Sequence, residues 1–494
     1  MTAKRLERSV DPRPKTGIVH LGLGAFFRAF GVPAISDAMA ASGGDWGILG
    51  VSLRSAGIRD ALRDQGWAYT AVSMGADRET SRVIEALNHV LVAPEDPAAV
   101  LRSMEDPSVR LVTLTVTEKG YCHIPATGAL DRTHPDIAHD LTSPLPKSAI
   151  GFIVHALKSR MYAGTRPFTV MTCDNLPQNG QLVRGLVLEF AEMLDPKLRA
   201  WIAENGCFPS TMVDRITPAT TADDIVRIAD QTGVYDAAPV VHEPFSQWVI
   251  EDAFVDNARP DFAAAGVELV RNVSCHEDMK LRMLNGTHSA LAYVGYLAGY
   301  ETISQTVADP VMERFVHSLW AEIIPAVEAP TGVNLDDYAS SLFERYANPN
   351  IRHRTWQIAM DGSQKLPQRI LGTMRDALAA GRETPFLCLA VAAWMFYVRG
   401  VDEAGNAIDV RDPLAGELRE RAHAANGPDD TVATLLNMRA IFPQDLADRL
   451  KEPLTVAARQ VWALGVRGAV ESTLTNTNNT TERSLNADSK QARL

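Results

Sequence analysis

The sequence predicts an α/β fold, with a doubly wound sheet domain first and a mostly α-helical domain after it. Three observations carry that expectation. Short apolar runs alternate with helical patterns through the first half, a strand runs into a glycine turn and a helix start at residues 16–30, and strand-like text all but ends after Lys280. Strands separated by helices pair in parallel and are covered on both faces. The 494 residues, 46% of them hydrophobic, suffice for two domains with separate cores.

After a polar lead, Thr16-Gly17-Ile18-Val19-His20-Leu21 reads as a strand, and Gly22-Leu23-Gly24-Ala25-Phe26-Phe27 as a turn opening a helix. Glycines let a backbone approach a pyrophosphate, and the helix start offers N–H groups to it. Gly22, Gly24, Ala25 and Phe26 are therefore candidate contacts in a Rossmann-type phosphate loop. The pattern is G-x-G-x-x-F, with Phe27 at the third glycine position, and a tight strand-to-helix turn without a ligand explains it equally well. The second strand, residues 46–53, ends at Arg54 with no acidic residue. Asp or Glu at such a point holds the ribose hydroxyls of NAD, whereas arginine suits a 2′-phosphate, so the choice between NAD and NADP is open at this point.

Alternation continues with a helix at 97–104, a strand at 110–116, a helix at 148–160 and a strand at 167–172. The last strand leads into Cys173-Asp174-Asn175-Leu176-Pro177, at the sheet edge where open α/β folds bind ligands. Asp174 and Asn175 either face a ligand or form an Asx-type turn before Pro177. Farther on, Asp214 and Arg215 are adjacent on an extended segment, where an ion pair is the plain reading. Residues 240–273 are strand-like again.

The most unusual stretch is Glu277-Asp278-Met279-Lys280-Leu281-Arg282-Met283-Leu284-Asn285-Gly286-Thr287-His288 and the apolar run after it. It reads as an enclosed helix, with carboxylates at its positive end. At roughly 100° per residue, Lys280, Asn285 and His288 fall within about 140° of arc. A lysine shielded from water can exchange a proton with an alcohol, an amide can donate to a developing alkoxide, and an imidazole can hold a hydroxyl. The alternative is a lysine that reaches solvent beside a bonded core amide and histidine.

Long helical patterns fill the remainder. Residues 352–369 are dense in basic and amide groups and form either a solvated helix end or a donor set for an anionic substrate. The expected domains are 16–275, a Rossmann-like dinucleotide-binding domain; 276–475, a mostly helical substrate domain; and 476–494, a polar, disordered tail.

A net charge of −12 argues against nucleic-acid or anionic-membrane surfaces while leaving room for a small anionic substrate. The opening residues have no apolar signal core, and no long apolar run follows, so a cytoplasmic location is expected. Five scattered cysteines without a C-x-x-C pair are expected to be reduced, and the histidine spacings match no zinc pattern, so no metal site is expected. The sequence sets no oligomeric state.

An ordered series of motifs resembles a known family. G-x-G-x-F at Gly22–Phe26, T-E-K-G-Y at Thr117–Tyr121, C-D-N at Cys173–Asn175, V-D-R at Val213–Arg215, E-P-F-x-Q-W at Glu243–Trp248, K-x-x-x-x-N-x-x-H at Lys280–His288 and D-G-S-Q-K-L-P at Asp361–Pro367 resemble the polyol-specific long-chain dehydrogenases. That family includes the mannitol 2-dehydrogenases and fructuronate reductases, and the resemblance spans about 17–467. It implies a Rossmann domain, a helical second domain and metal-independent hydride transfer with NAD(P). It also implies roles: Lys280 as general acid or base, Asn175 and Asn285 as amide donors to the alkoxide, His288 as the orienting group and Asp214 as a substrate hydroxyl contact. Lys119 and the run 354–369 resemble the fructuronate reductases in particular, and Arg354 and Lys365 are the cations assigned to the substrate. The expected reaction is interconversion of D-fructuronate and D-mannonate, with a mannitol 2-dehydrogenase as the alternative. A non-catalytic nucleotide sensor is a third reading. One departure bears on it: family members often read G-A-F-H-R-A-H, and here Phe27 and Phe30 replace those histidines.

Overall fold

In the computed structural model the chain divides into two compact units, Met1–Ser274 and Cys275–Leu494, and each is described by itself. Residues 4–9, 11–125 and 127–491 are described, their side chains only as far as 477, so most side chains of the tail expected to be disordered, 476–494, lie outside this description.

The first unit is built on five parallel strands: β1 Thr16–Leu21, β2 Gly47–Ser52, β3 Leu87–Val92, β4 Leu111–Leu114 and β5 Thr169–Thr172, in the spatial order β3-β2-β1-β4-β5. This is the strand order of a doubly wound dinucleotide-type sheet. Neighbouring residues point to opposite faces, and both faces are buried. Val19, Val112 and Val170 pack with Ile153, Leu186 and Phe190, while Ile18, Leu111 and Met171 pack with Phe27, Phe30 and Trp248. The helix after β4, Ala149–Ala163, starts where Ser148 Oγ accepts from the Gly151 N–H at 2.9 Å and ends at left-handed Gly164. Two three-stranded sheets flank the main one; one is Val240–His242, Tyr69–Met74 and Glu79–Ile84, and the other Glu268–Val270, Gln247–Glu251 and Thr211–Asp214. The sequence reading passed over β3 and the Tyr69–Met74/Glu79–Ile84 pair.

The second unit is helical, and its described residues pair as strands only at isolated bridges, Thr302 with Arg354 and Val401 with Ala407. Its core gathers around the apolar helix Pro385–Tyr397, against which Thr287–Leu297 and the last helix, entered at Gln444, pack. Two segments depart from α geometry: Lys280–Gly286 and Pro367–Leu371 are both π-helical.

Candidate active site

In the first unit the glycine turn follows β1. Gly22 has φ +91, and a Cβ there would collide with the Thr115 carbonyl, so glycine is required twice over. Gly24 is different. Its backbone is extended, and the nearest heavy atom to a Cβ would be 3.8 Å away. Nothing among the described residues demands glycine there, whereas a phosphate resting against the backbone would. The helix Ala25–Ala29 begins at Gly24 with no side-chain cap, which leaves its first N–H groups suited to such an anion. Gly22, Gly24, Ala25 and Phe26 thus fit a dinucleotide. Arg54 is exposed just past the end of β2, whose Val51 carbonyl accepts from the Gly22 and Leu23 N–H groups at 2.9 and 3.1 Å.

A buried polar relay fixes the turn. Thr115 Oγ1 donates to the Gly22 carbonyl at 2.8 Å, so the 2.9 Å contact with His20 Nε2 requires that nitrogen to carry the proton. His20 Nδ1 then accepts from Thr113 Oγ1 at 2.8 Å, and burial lowers the imidazole pKa to about 3. Phe27 stacks on His20 with ring centroids 3.4 Å apart, and Phe30 packs on Phe26 and Trp248. Both phenylalanines are core residues facing away from solvent. Their departure from the family pattern therefore changes packing beneath the loop.

The C-D-N and T-E-K-G-Y motifs are one construction. Asp174 accepts from the Val116 and Thr117 N–H groups at 2.8 and 3.3 Å and from the Tyr121 hydroxyl at 2.7 Å. It clamps Thr117, a β-branched residue at φ +64, a conformation that costs roughly 1–3 kcal/mol. Desolvation raises the Asp174 pKa, while these donors pull it back. Asn175 follows, exposed at the carboxyl edge of β5. Asp214 is buried at the end of its strand, and Arg215 donates to the carbonyls of Ala29, Phe245 and Pro244 at 2.6, 2.9 and 3.4 Å.

In the second unit Lys280, Asn285 and His288 stand on and just after the first π segment. A helix with i→i+5 bonds holds more residues per turn, so Lys280 and Asn285 lie closer to one line than the roughly 140° of an α-helix. The arc is therefore narrower than the sequence reading put it. Donors from three other elements serve the widened turn: the Trp320 indole to the Met283 carbonyl at 3.4 Å, the Tyr346 hydroxyl to Leu284 at 3.0 Å and Arg369 Nη1 to Asn285 at 3.5 Å. Gly286 lets the second π segment cross, since a Cβ there would stand 2.8 Å from the Arg369 carbonyl.

Lys280 and His288 are buried and Asn285 is partly so. His288 lies against Tyr346 and against His353, whose ring centre is 4.8 Å away at nearly a right angle. Desolvation first, then His353, Arg345 and Arg369, hold the His288 pKa well below its ordinary value, so it is neutral at working pH. Its buried Nε2 has no hydrogen-bond partner among the described residues.

The D-G-S-Q-K-L-P motif positions the facing wall. Asp361 is left-handed, a Cβ on Gly362 would stand 2.5 Å from the Tyr293 hydroxyl, and Ser363 bonds Asp412 through its N–H and hydroxyl at 2.7 and 2.5 Å. Lys365 gives its ammonium to the carbonyls of Ile358 and Met360 at 3.2 and 2.6 Å, and burial lowers its pKa to about 8. Arg354 is exposed and faces Glu301 at 3.5 Å; the cations that act on His288 are Arg345, to which the sequence reading gave no role, and Arg369, which it named only as part of the donor run 352–369. Its place in that run was the available signal for Arg369. Among the described residues no three His, Cys, Asp or Glu side chains converge as metal ligands, and no helix is long and apolar enough to cross a membrane.

A doubly wound sheet with a glycine turn, and a helical unit with lysine, amide and neutral imidazole on and just after one segment, fit an oxidoreductase acting on CH–OH groups. Residues 16–264 match the mannitol dehydrogenase Rossmann domain, and 272–462 the mannitol dehydrogenase C-terminal domain. The chain belongs to the mannitol dehydrogenase family. It is 46% identical to the D-mannonate oxidoreductase of Escherichia coli (strain K12) over 466 residues, 93% of this chain and 96% of that one. It is 40% identical to a mannitol 2-dehydrogenase of Aspergillus clavatus, covering 87% of each chain. The solved Pseudomonas fluorescens mannitol 2-dehydrogenase, a ternary complex with NAD and D-mannitol, superposes with a TM-score of 0.84 at 35% identity, over 96% of this chain and 97% of that one.

Proposed function

We propose that this protein interconverts D-fructuronate and D-mannonate with NAD(H), without a metal ion. The observation that carries the chemistry is the π segment, which sets Lys280 and Asn285 on one side of a helix with the neutral His288 after it. The sugar-acid substrate is supported by the 46% identity to a D-mannonate oxidoreductase and by the cations around His288. Bound NADH supplies the hydride that reduces the keto carbon. The Lys280 ammonium gives a proton to the ketone oxygen, and in alcohol oxidation the neutral amine takes it back. Asn175 and Asn285 donate to that oxygen as negative charge develops, where a fixed donor is typically worth roughly 3 kcal/mol of barrier. His288 holds a neighbouring hydroxyl through its unpartnered Nε2, and Asp214 accepts from another.

The runner-up, a mannitol 2-dehydrogenase, draws support from the likeness to the Pseudomonas fluorescens enzyme. NADH consumption with D-fructuronate, D-tagaturonate and D-fructose at equal concentration, in the presence of EDTA, separates the readings; preference for D-fructose sinks the sugar-acid reading. Lys280→Ala lowers kcat by about two to four decades with NADH affinity nearly unchanged. An undiminished rate removes lysine from the mechanism.

A further inference from the structure

Arg369 sits in the second π segment, Pro367–Leu371, with its backbone pressed on Gly286. Its Nη1 points to the Asn285 carbonyl at 3.5 Å and to Ser289 Oγ at 3.2 Å, so the guanidinium lies alongside the segment that carries Asn285 and His288. It is largely enclosed but keeps a partly accessible surface. Among the described residues no carboxylate comes within 4 Å of it, and its Nε and Nη2 make no hydrogen bond.

That combination is uncommon. An enclosed guanidinium is ordinarily matched by a carboxylate, because removing its water is costly without a counter-charge. Here the neighbours add positive charge instead: Lys365 stands four residues earlier in the chain, and both Arg345 and Arg369 act on His288. Lys365 spends its ammonium on two carbonyls and Arg354 faces Glu301, whereas Arg369 keeps its Nε/Nη2 edge open. Two parallel N–H groups on one planar edge match the two oxygens of a carboxylate.

We propose that Arg369 is the residue that takes the substrate carboxylate, making the chain selective for keto sugar acids over neutral ketoses. The assignment rests on the sugar-acid reading above and deepens it. His288 and Asn285 then handle the hydroxyl and carbonyl end of a substrate whose acid end is held beside Ser289.

The test compares wild type, Arg369→Gln and Arg369→Lys in NADH-dependent reduction of D-fructuronate, with NADH affinity read by fluorescence and folding by thermal unfolding. Arg369→Gln raises KM for D-fructuronate by about 100-fold with kcat changed far less, and Arg369→Lys, which keeps the charge and loses the fork, recovers about tenfold of that. NADH affinity stays within twofold for both. An unchanged KM overturns the assignment. So does a joint fall of kcat and unfolding temperature that lysine does not repair, which would make Arg369 a pin between the two π segments. If the glutamine variant does not fold, the lysine variant carries the test, because a KM equal to wild type there refutes recognition by the planar edge. A wild-type enzyme that ignores D-fructuronate overturns the substrate reading itself, and that failure shows before any substitution is made.

Discussion

Gly286→Ala presses on a point where the backbones of the two π segments come close. The added methyl would stand 2.8 Å from the Arg369 carbonyl oxygen and 3.7 Å from that of Leu281. An ordinary carbon–oxygen contact needs about 3.2–3.4 Å, so one segment has to retreat by roughly 0.5 Å, and overpacking of this kind typically costs 1–3 kcal/mol. Neither neighbour is the free end of a flexible side chain, so the strain passes into the backbone. Asn285 precedes the methyl and His288 follows two residues later, and because a displacement near 1 Å can cost about 100-fold, half of that costs on the order of tenfold in kcat. The assays are steady-state NADH oxidation with D-fructuronate and thermal unfolding. Gly185→Ala serves as the control: that glycine lies within the helix Asn179–Leu194 with nothing within 4 Å of an added Cβ, and alanine there stabilises by roughly 0.5–1 kcal/mol. A Gly286→Ala protein with wild-type kcat and unfolding temperature would refute the close crossing and the positional argument built on it.

Acid lability follows from three desolvated imidazoles, of which His20 and His242 are buried and His353 partly so. Burial lowers His20 to about 3, and lowers His242 and His353 to about 4, aided by Arg215 and Lys365 respectively. Between about pH 6.5 and 4 the unfolded chain binds protons that the folded one refuses, so stability falls as pH falls through that window, by up to about 1.4 kcal/mol per pH unit for each group. An unfolding temperature that stays flat from pH 7 to 4.5 would contradict this. For the cofactor, Arg54→Ala lowers efficiency with NADPH by about tenfold and leaves NADH unaffected, and an unchanged ratio excludes Arg54 as the selector.

The sheet was legible because its strands are apolar on both faces: Ile18 and Val19 are adjacent, equally buried and pointed into different clusters. β3 was not, since Asn88 and His89 interrupt its apolar pattern at the edge of the sheet. The phosphate-loop glycines announced themselves, yet the division of labour between Gly22, needed by the fold, and Gly24, needed by none of the described residues, shows only in the folded chain. The ion pair expected for Arg215 gave way to three backbone carbonyls, a competition that sequence adjacency does not reveal. Least legible was the π segment. Its donors come from Trp320, Tyr346 and Arg369, between 37 and 84 residues away, and no local periodicity encodes them.

That segment carries one residue more than an α-helix would use to cover the same rise, and the surplus has an evolutionary meaning. Losing a single codon between Leu281 and Leu284 would restore regular bonding without disturbing either flanking helix, and the shortened protein would be the easier one to fold. A lineage released from its need for the reaction would drift in that direction at little risk. Keeping the extra residue, together with an indole, a phenol and a guanidinium held in reserve for its carbonyls, is a running expense that only continued use of the enzyme sustains.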